Sequence, residues 1–167
     1  MYEIIDEEER NNQPINTNAM ETSLNFPERD SPYNFNVFIV EDSDVYRTML
    51  AESLSQQEID DQNYKLTIYG FSSGEECLEN LDLKPHVIIL DYHLDGNGYV
   101  TNINGMTVLD EVNRLSPSTN VILLSCQQDE KLAHEIIKKG VAGYFKKGPE
   151  SITHVREKIL TMMQINN

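Results

Sequence analysis

The 167-residue chain has two cysteines, Cys77 and Cys126, no CxxC pair, and four scattered histidines. Neither a disulfide framework nor a zinc site can be built from that inventory, and free thiols suit a reducing compartment. Long apolar runs are missing too. The longest, such as Val87–Leu90 and Val121–Leu124, have four residues, against the roughly 20 that a membrane-spanning helix requires. The N-terminus MYEIIDEEER is acidic where a secretory leader would be basic, and no apolar segment follows it. There is no GxGxxG or GxxxxGK[ST], which argues against a nucleotide or flavin site. Basic residues are few: 13 Lys and Arg face 28 Asp and Glu, a net charge of −15. Such a surface repels phosphate backbones and anionic membranes, so neither nucleic acid nor membrane is expected as a partner, and bound cations suit it better. The expectation is one soluble, cytoplasmic domain of ordinary size.

Two regions differ in composition. Residues 1–35 carry eight acidic and two basic side chains and half of the chain's six prolines, with no sustained periodicity. They read as an acidic, flexible N-terminal tail that buries too little apolar surface to offset its ordering entropy. Ile4, Ile5, Leu24 and Phe26 are its candidate docking residues. From residue 36 to 167 the pattern is rhythmic. Apolar runs at Val37–Val40, Leu66–Tyr69, Val87–Leu90, Val121–Leu124 and Gly143–Phe145 read as strands buried on both faces.

Helical stripes separate them. Tyr46, Met49, Leu50, Ser53 and Leu54 share one side of a helix from Asp44 to about Gln57. Ser73 and Glu76 form a capping pair ahead of Cys77, Leu78 and Leu81. Val108, Leu109, Val112 and Leu115 make a third stripe that Pro117 stops. Leu132, Ala133, Ile136 and Ile137 make a fourth, ended by Gly140, and Ile152, Val155, Ile159 and Met162 a fifth. Five strands alternating with five helices predict a doubly wound, flavodoxin-like α/β/α fold with a parallel sheet in the order 2-1-3-4-5.

In such a sheet ligands bind beyond the carboxyl ends of the strands. Glu41-Asp42 follow strand 1, Asp91 follows strand 3, Ser125 follows strand 4, and Lys146-Lys147 follow strand 5. Three converging carboxylates repel one another unless a cation neutralises them. Mg²⁺, which prefers octahedral oxygen ligands, suits that set. A hydroxyl and an ammonium are suitable donors to phosphoryl oxygens, so the composite fits a carboxylate that carries phosphate. Taken singly, the acidic pair also suits a helix start, Ser125 a backbone contact, and Lys147 a solvated surface.

The stretches VFIVEDSD (37–44), VIILDYH (87–93), VILLS (121–125) and GVAGYFKKG (140–148) together resemble the receiver domain of two-component response regulators. The resemblance implies that Asp91 accepts a phosphoryl group from a histidine kinase or histidine phosphotransfer protein, with output through protein–protein contact. It implies Mg²⁺ held by Glu41, Asp42, Asp91 and the backbone carbonyl of His93. It also implies that Ser125 and a lysine contact the phosphoryl group, and that Ser125 and Tyr144 form a switch. The family's spacing from its aromatic residue, here Tyr144, implies Lys147, with Lys146 the alternative. The resemblance implies that the chain catalyses only its own phosphorylation and dephosphorylation. With few residues left after the fifth helix, and so no DNA-binding output domain expected in this chain, it reads as a stand-alone receiver or relay, or as a receiver excised from something larger.

Three positions depart from the family's pattern. Glu41 stands where Asp is common. A turn-rich loop, residues 95–105, replaces a proline after the acceptor; it is either a gate on access to the site or a neutral insertion. Gly148 follows Lys147 where proline is usual, which makes a cis bond costlier by about 2–3 kcal/mol. The competing enzyme reading is a haloacid-dehalogenase-like phosphatase with Asp91 as nucleophile. That chemistry needs a second Asp two residues on, where this chain has His93, and the next acid is Asp95.

Overall fold

The computed structural model describes residues 33–55, 64–94, 103–126 and 130–165. The acidic tail through residue 32, Gln57, and most of the 95–105 loop, Asp95 included, lie outside the described residues. Five strands, β1 (Tyr33–Val40), β2 (Tyr64–Phe71), β3 (Val87–Asp91), β4 (Asn120–Ser125) and β5 (Gly143–Lys146), form one sheet. All pairings are parallel, in the order β2-β1-β3-β4-β5. The helices are α1 (Asp44–Ser55), α2 (Gly74–Glu79), α3 (Gly105–Leu115), α4 (Glu130–Lys138) and α5 (Ser151–Ile165). This is the doubly wound architecture that the alternation predicts.

The period-two alternation of the strands divides the core into two layers. Val37, Ile39, Val87, Ile89, Ile122 and Leu124 pack with Leu50 and Leu54 of α1 and Val155, Ile159 and Met162 of α5. Their neighbours Phe38, Val40, Ile88, Leu90, Val121 and Leu123 pack with Cys77 of α2, Val108, Leu109 and Val112 of α3, and Ile136 of α4. Cys77 is wholly buried, and burial raises its thiol pKa to about 12, so it behaves as a small hydrophobe. Burying each large apolar side chain contributes about 1.5–3 kcal/mol.

The helix ends follow local chemistry. Ser73 caps α2 by accepting the Glu76 amide at 3.2 Å, while the Glu76 carboxylate accepts the Ser72 amide at 3.0 Å. Asn104 caps α3 through the Thr107 amide at 3.0 Å. Gly140 closes α4 at φ +82°, a conformation that costs a non-glycine residue energy.

Four expectations shift. Leu66–Tyr69 of β2 and Gly143–Phe145 of β5, expected to be buried on both faces, are only half-buried because these two strands form the edges of the sheet. β1 begins at Tyr33, upstream of the expected boundary at residue 36, because residues 33–36 pair with Tyr64–Thr67 of β2. Two asparagines interrupt the apolar pattern there, while Phe35 is buried. Met49, Leu115 and Ile137 lie on the outer margins of their helices and are exposed. Among the described residues no peptide bond is cis, so the bond after Lys147 is trans.

One contact positions the functional edge directly. A Cβ on Gly105 would lie 2.4 Å from the Asp91 carbonyl oxygen and 2.7 Å from Tyr92 Cα, and the Gly105 amide donates to the Tyr92 carbonyl at 3.0 Å. The start of α3 therefore rests on the backbone of the Asp91 turn. Helix propensity alone would make Gly105→Ala stabilising by about 1 kcal/mol, but the clash is with backbone, which cannot swing aside. We expect Gly105→Ala to lower the unfolding free energy by about 1–3 kcal/mol, measured by urea denaturation.

Candidate functional site

The carboxyl edge of the sheet gathers side chains from three loops. β1 runs directly into Glu41 and Asp42, β3 ends in Asp91, and Lys147 follows β5. Ladder bonds continue past the strand ends and fix these loops: Glu41 N–H donates to Phe71 O at 3.0 Å, Tyr92 N–H to Leu124 O at 2.8 Å, and Lys147 N–H to Ser125 O at 2.8 Å.

The Lys147 ammonium donates to Glu41 Oε2 at 2.6 Å and to Asp91 Oδ2 at 2.7 Å. Glu41 and Asp91 are only 2% and 3% exposed. Each also accepts an amide two residues on: Ser43 N–H to Glu41 Oε1 at 3.3 Å, and His93 N–H to Asp91 Oδ1 at 3.2 Å. The Arg47 guanidinium ties the same turn, donating to the Glu41 carbonyl and to Asp44.

Each Lys147 contact lies on the sheet face covered by α1 and α5, since residues 37 and 39, 87 and 89, and 145 all point there. That parity explains why Lys147 rather than the exposed Lys146 reaches the carboxylates. Tyr144 packs with the opposite layer, and Ser125, fully buried, follows Leu123 on that side by the same alternation.

Burial pushes the pKa of Glu41 and of Asp91 above the ordinary carboxylate values, against the lowering effect of their bonds to Lys147. For Lys147, burial lowers the pKa, but the bonds and charges of Asp91 and Glu41 outweigh it and the net shift is upward. Glu41, Asp42 and Asp91 each present a carboxylate oxygen, and these atoms lie within 4.8 Å of one another. Three carboxylates so close together repel one another, and Glu41 and Asp91 have little access to water. A hard divalent cation is the counter-charge that such an all-oxygen set accepts.

The response regulator receiver domain family matches residues 37–159. The chain belongs to that family. Among curated proteins it is similar to the response regulator GacA of Pseudomonas protegens, 29% identical over 114 residues, which is 67% of this chain and 48% of that protein. The receiver domain thus spans about half the length of the curated relatives it matches. Among solved structures, the response regulator DrrB, a Thermotoga maritima OmpR/PhoB homologue, is 19% identical with a TM-score of 0.64, covering 81% of this chain and 55% of that one. RcsB from Salmonella enterica serovar Typhimurium, bound to promoter rprA with phosphomimetic BeF3−, is 21% identical with a TM-score of 0.63, covering 78% of this chain and 99% of that one. At these identities the two structures speak to the fold alone.

The site contains residues that sequence reading passed over. Tyr46, assigned only to the apolar side of α1, lies under the Lys147 ammonium, which sits 4.8 Å from its ring centroid. Its hydroxyl bonds Ser151 Oγ at 2.7 Å. Gly105 and its asparagine cap sat unremarked at the end of a turn-rich loop.

Because its pKa is raised by burial, Asp91 destabilises the metal-free fold once it ionises. The folded form holds its proton to higher pH than the unfolded form, so stability falls as pH rises through the interval above the ordinary Asp value of 3.8. Asp91→Asn is therefore expected to raise the thermal midpoint at neutral pH in chelator-treated buffer. That advantage should vanish below about pH 4, as calorimetry across pH 3.5–7 would show.

Proposed function

We propose that this receiver domain takes a phosphoryl group onto Asp91 from a phosphohistidine of a kinase or phosphotransfer protein. The observation that carries the reading is the buried Asp91 carboxylate, held in one cluster with Glu41, Asp42 and Lys147. In the forward step an Asp91 oxygen attacks phosphorus, the donor's N–P bond breaks, and the imidazole leaves with its electron pair. Hydrolysis reverses the outcome at phosphorus: water attacks, the P–O bond to Asp91 breaks, and inorganic phosphate departs as a proton passes to solvent.

The carboxylates of Glu41, Asp42 and Asp91, with the His93 backbone carbonyl, would hold Mg²⁺, which neutralises charge on the phosphoryl oxygens and on the acids. Lys147 is the cation available to a phosphoryl oxygen on the α1/α5 side, and the Ser125 hydroxyl the donor on the other. Tyr144 shares the Ser125 side of the sheet, which supports a coupled rearrangement of the two when a dianionic group arrives. His93 in the position after Tyr92 supplies no second carboxylate for a haloacid-dehalogenase-type turnover, so the domain's chemistry on this reading is its own phosphorylation and dephosphorylation.

Output on this reading is a changed protein surface, in a cytoplasmic setting. Among the described residues no helix is long and apolar enough to cross a membrane. The expectation from charge that nucleic acid is excluded finds no support among the neighbours, one of which was solved on a promoter and another as an RcsB–DNA complex. The acidity of this chain bears on this domain's surface, and DNA-binding output belongs to the same proposal as an open branch.

Incubation with radiolabelled acetyl phosphate and Mg²⁺ is expected to label the wild-type chain and to leave Asp91→Asn unlabelled with its circular dichroism unchanged. Labelling of that variant at the wild-type level would assign the acceptor elsewhere. Asp42→Ala should weaken Mg²⁺ binding at least about tenfold by calorimetric titration, and an unchanged affinity would remove Asp42 from the metal's ligands.

A further inference from the structure

We infer that Tyr46 is a positioning residue for Lys147, holding the ammonium from below with its ring and fixing the turn that carries it through Ser151. The inference rests on the proposed phosphoryl chemistry for its consequence, but on geometry for its existence. The Lys147 Nζ lies 4.8 Å from the Tyr46 ring centroid, within the roughly 6 Å over which the ring's negative face attracts a cation. Ser151, 2% exposed, donates its hydroxyl hydrogen to the Gly148 carbonyl at 2.7 Å and accepts the Gly148 amide at 3.2 Å. Its one hydrogen being committed, the 2.7 Å contact to Tyr46 has the tyrosine O–H as donor.

These contacts close a ring: Lys147 above Tyr46, Tyr46 to Ser151, Ser151 to Gly148, and Gly148 back to Lys147 along the chain. The closure compensates for a permissive backbone. Gly148 has open space around the position a Cβ would take, and a glycine directly after the lysine leaves that turn free to move unless other bonds hold it. Beside the Lys147 ladder bond to Ser125, the turn is held by the Ser151 amide donating to the Gly148 carbonyl at 3.2 Å and by two bonds at the buried Ser151 Oγ, and Tyr46 anchors that oxygen to α1.

The consequence follows from what Lys147 has to release. The oxygens it now bonds, Glu41 Oε2 and Asp91 Oδ2, belong to the acids that a divalent cation and a phosphoryl group would engage. As Asp91 becomes an acyl phosphate, the ammonium loses that partner and must meet a phosphoryl oxygen nearby. A flat, electron-rich surface beneath Nζ lets the charge shift by a short distance without passing into solvent, and the Ser151 strap keeps the Cα in place while it does so. Leucine at position 46 would fill the space but attract no cation. Phenylalanine would keep the ring and lose only the strap.

The experiment uses the full chain with Tyr46→Leu and Tyr46→Phe, each first shown to be folded by circular dichroism and thermal melting. Two readouts separate positioning from mere packing. In NMR spectra, Tyr46→Leu is expected to move the Lys147 ε-methylene protons downfield as the ring current disappears, and Tyr46→Phe to leave them near the wild-type shift. In acetyl phosphate labelling, Tyr46→Leu is expected to lower the maximal rate about two- to fivefold, with the Mg²⁺ concentration for half-maximal rate changed less than twofold, and Tyr46→Phe to recover most of the loss. An unmoved Lys147 resonance in Tyr46→Leu overturns the contact, and a wild-type maximal rate in that variant overturns its role. If the wild-type chain takes no label, the phosphoacceptor reading fails on that arm, while the resonance still decides whether Tyr46 holds Lys147.

Discussion

The arrangement at this site depends on one ammonium group shared between two carboxylates that have little access to water. Lys147 reaches Glu41 and Asp91 at 2.6 and 2.7 Å from three different loops, and without it both acids would be buried, adjacent and uncompensated. Removing the lysine from such a cluster costs about 3–5 kcal/mol, because the two carboxylates left behind have no replacement solvent. Asp42 adds a third carboxylate oxygen within 4.8 Å of the other two. On the proposed function, a divalent cation and then a phosphoryl group would share this cluster with the lysine.

The parallel sheet makes that arrangement geometrically cheap. Its strands deliver every loop of interest to the same edge, and the alternation along each strand sorts the delivered side chains into two layers. Glu41, Asp91, Lys147 and Tyr46 belong to the layer under α1 and α5, whereas Ser125 and Tyr144 belong to the layer under α2, α3 and α4. A group bound at the edge therefore touches both helical layers at once. Gly105 adds a backbone-to-backbone contact between the Asp91 turn and α3, so a displacement of that turn is felt at the start of a helix without any side chain as intermediary.

Most of the architecture was legible in the sequence because parallel strands buried on both faces leave short runs that are apolar throughout. Val37–Val40, Val87–Leu90 and Val121–Leu124 announce themselves in this way, and each is followed by a polar residue of the site. The start of β1 was harder to see, since Asn34 and Asn36 break the apolar run and their strand is held by pairing with β2 and by the Asn36 amide donating to His86 Nδ1 at 3.0 Å. The choice of Lys147 over Lys146 rested on the family's spacing from its aromatic residue, and the structure supplies a reason, since Phe145 packs in the α1 layer and Lys147 shares its parity. Tyr46 and Ser151 were not legible as a pair: they are 105 positions apart, and nothing local to either one encodes the contact. Asn104 and Gly105 were hidden for a different reason, since cap and turn residues look alike until the helix they begin is known.

The most direct test of the shared ammonium is a double-mutant cycle between Lys147→Met and Asp91→Asn, read by urea denaturation in chelator-treated buffer at pH 7. Lys147→Met alone is expected to cost about 3–5 kcal/mol. Asp91→Asn in that background should restore more than it contributes to the wild-type chain, giving a coupling energy of about 1–3 kcal/mol. Additivity within about 0.3 kcal/mol would show that the two groups do not depend on each other, and would contradict the account.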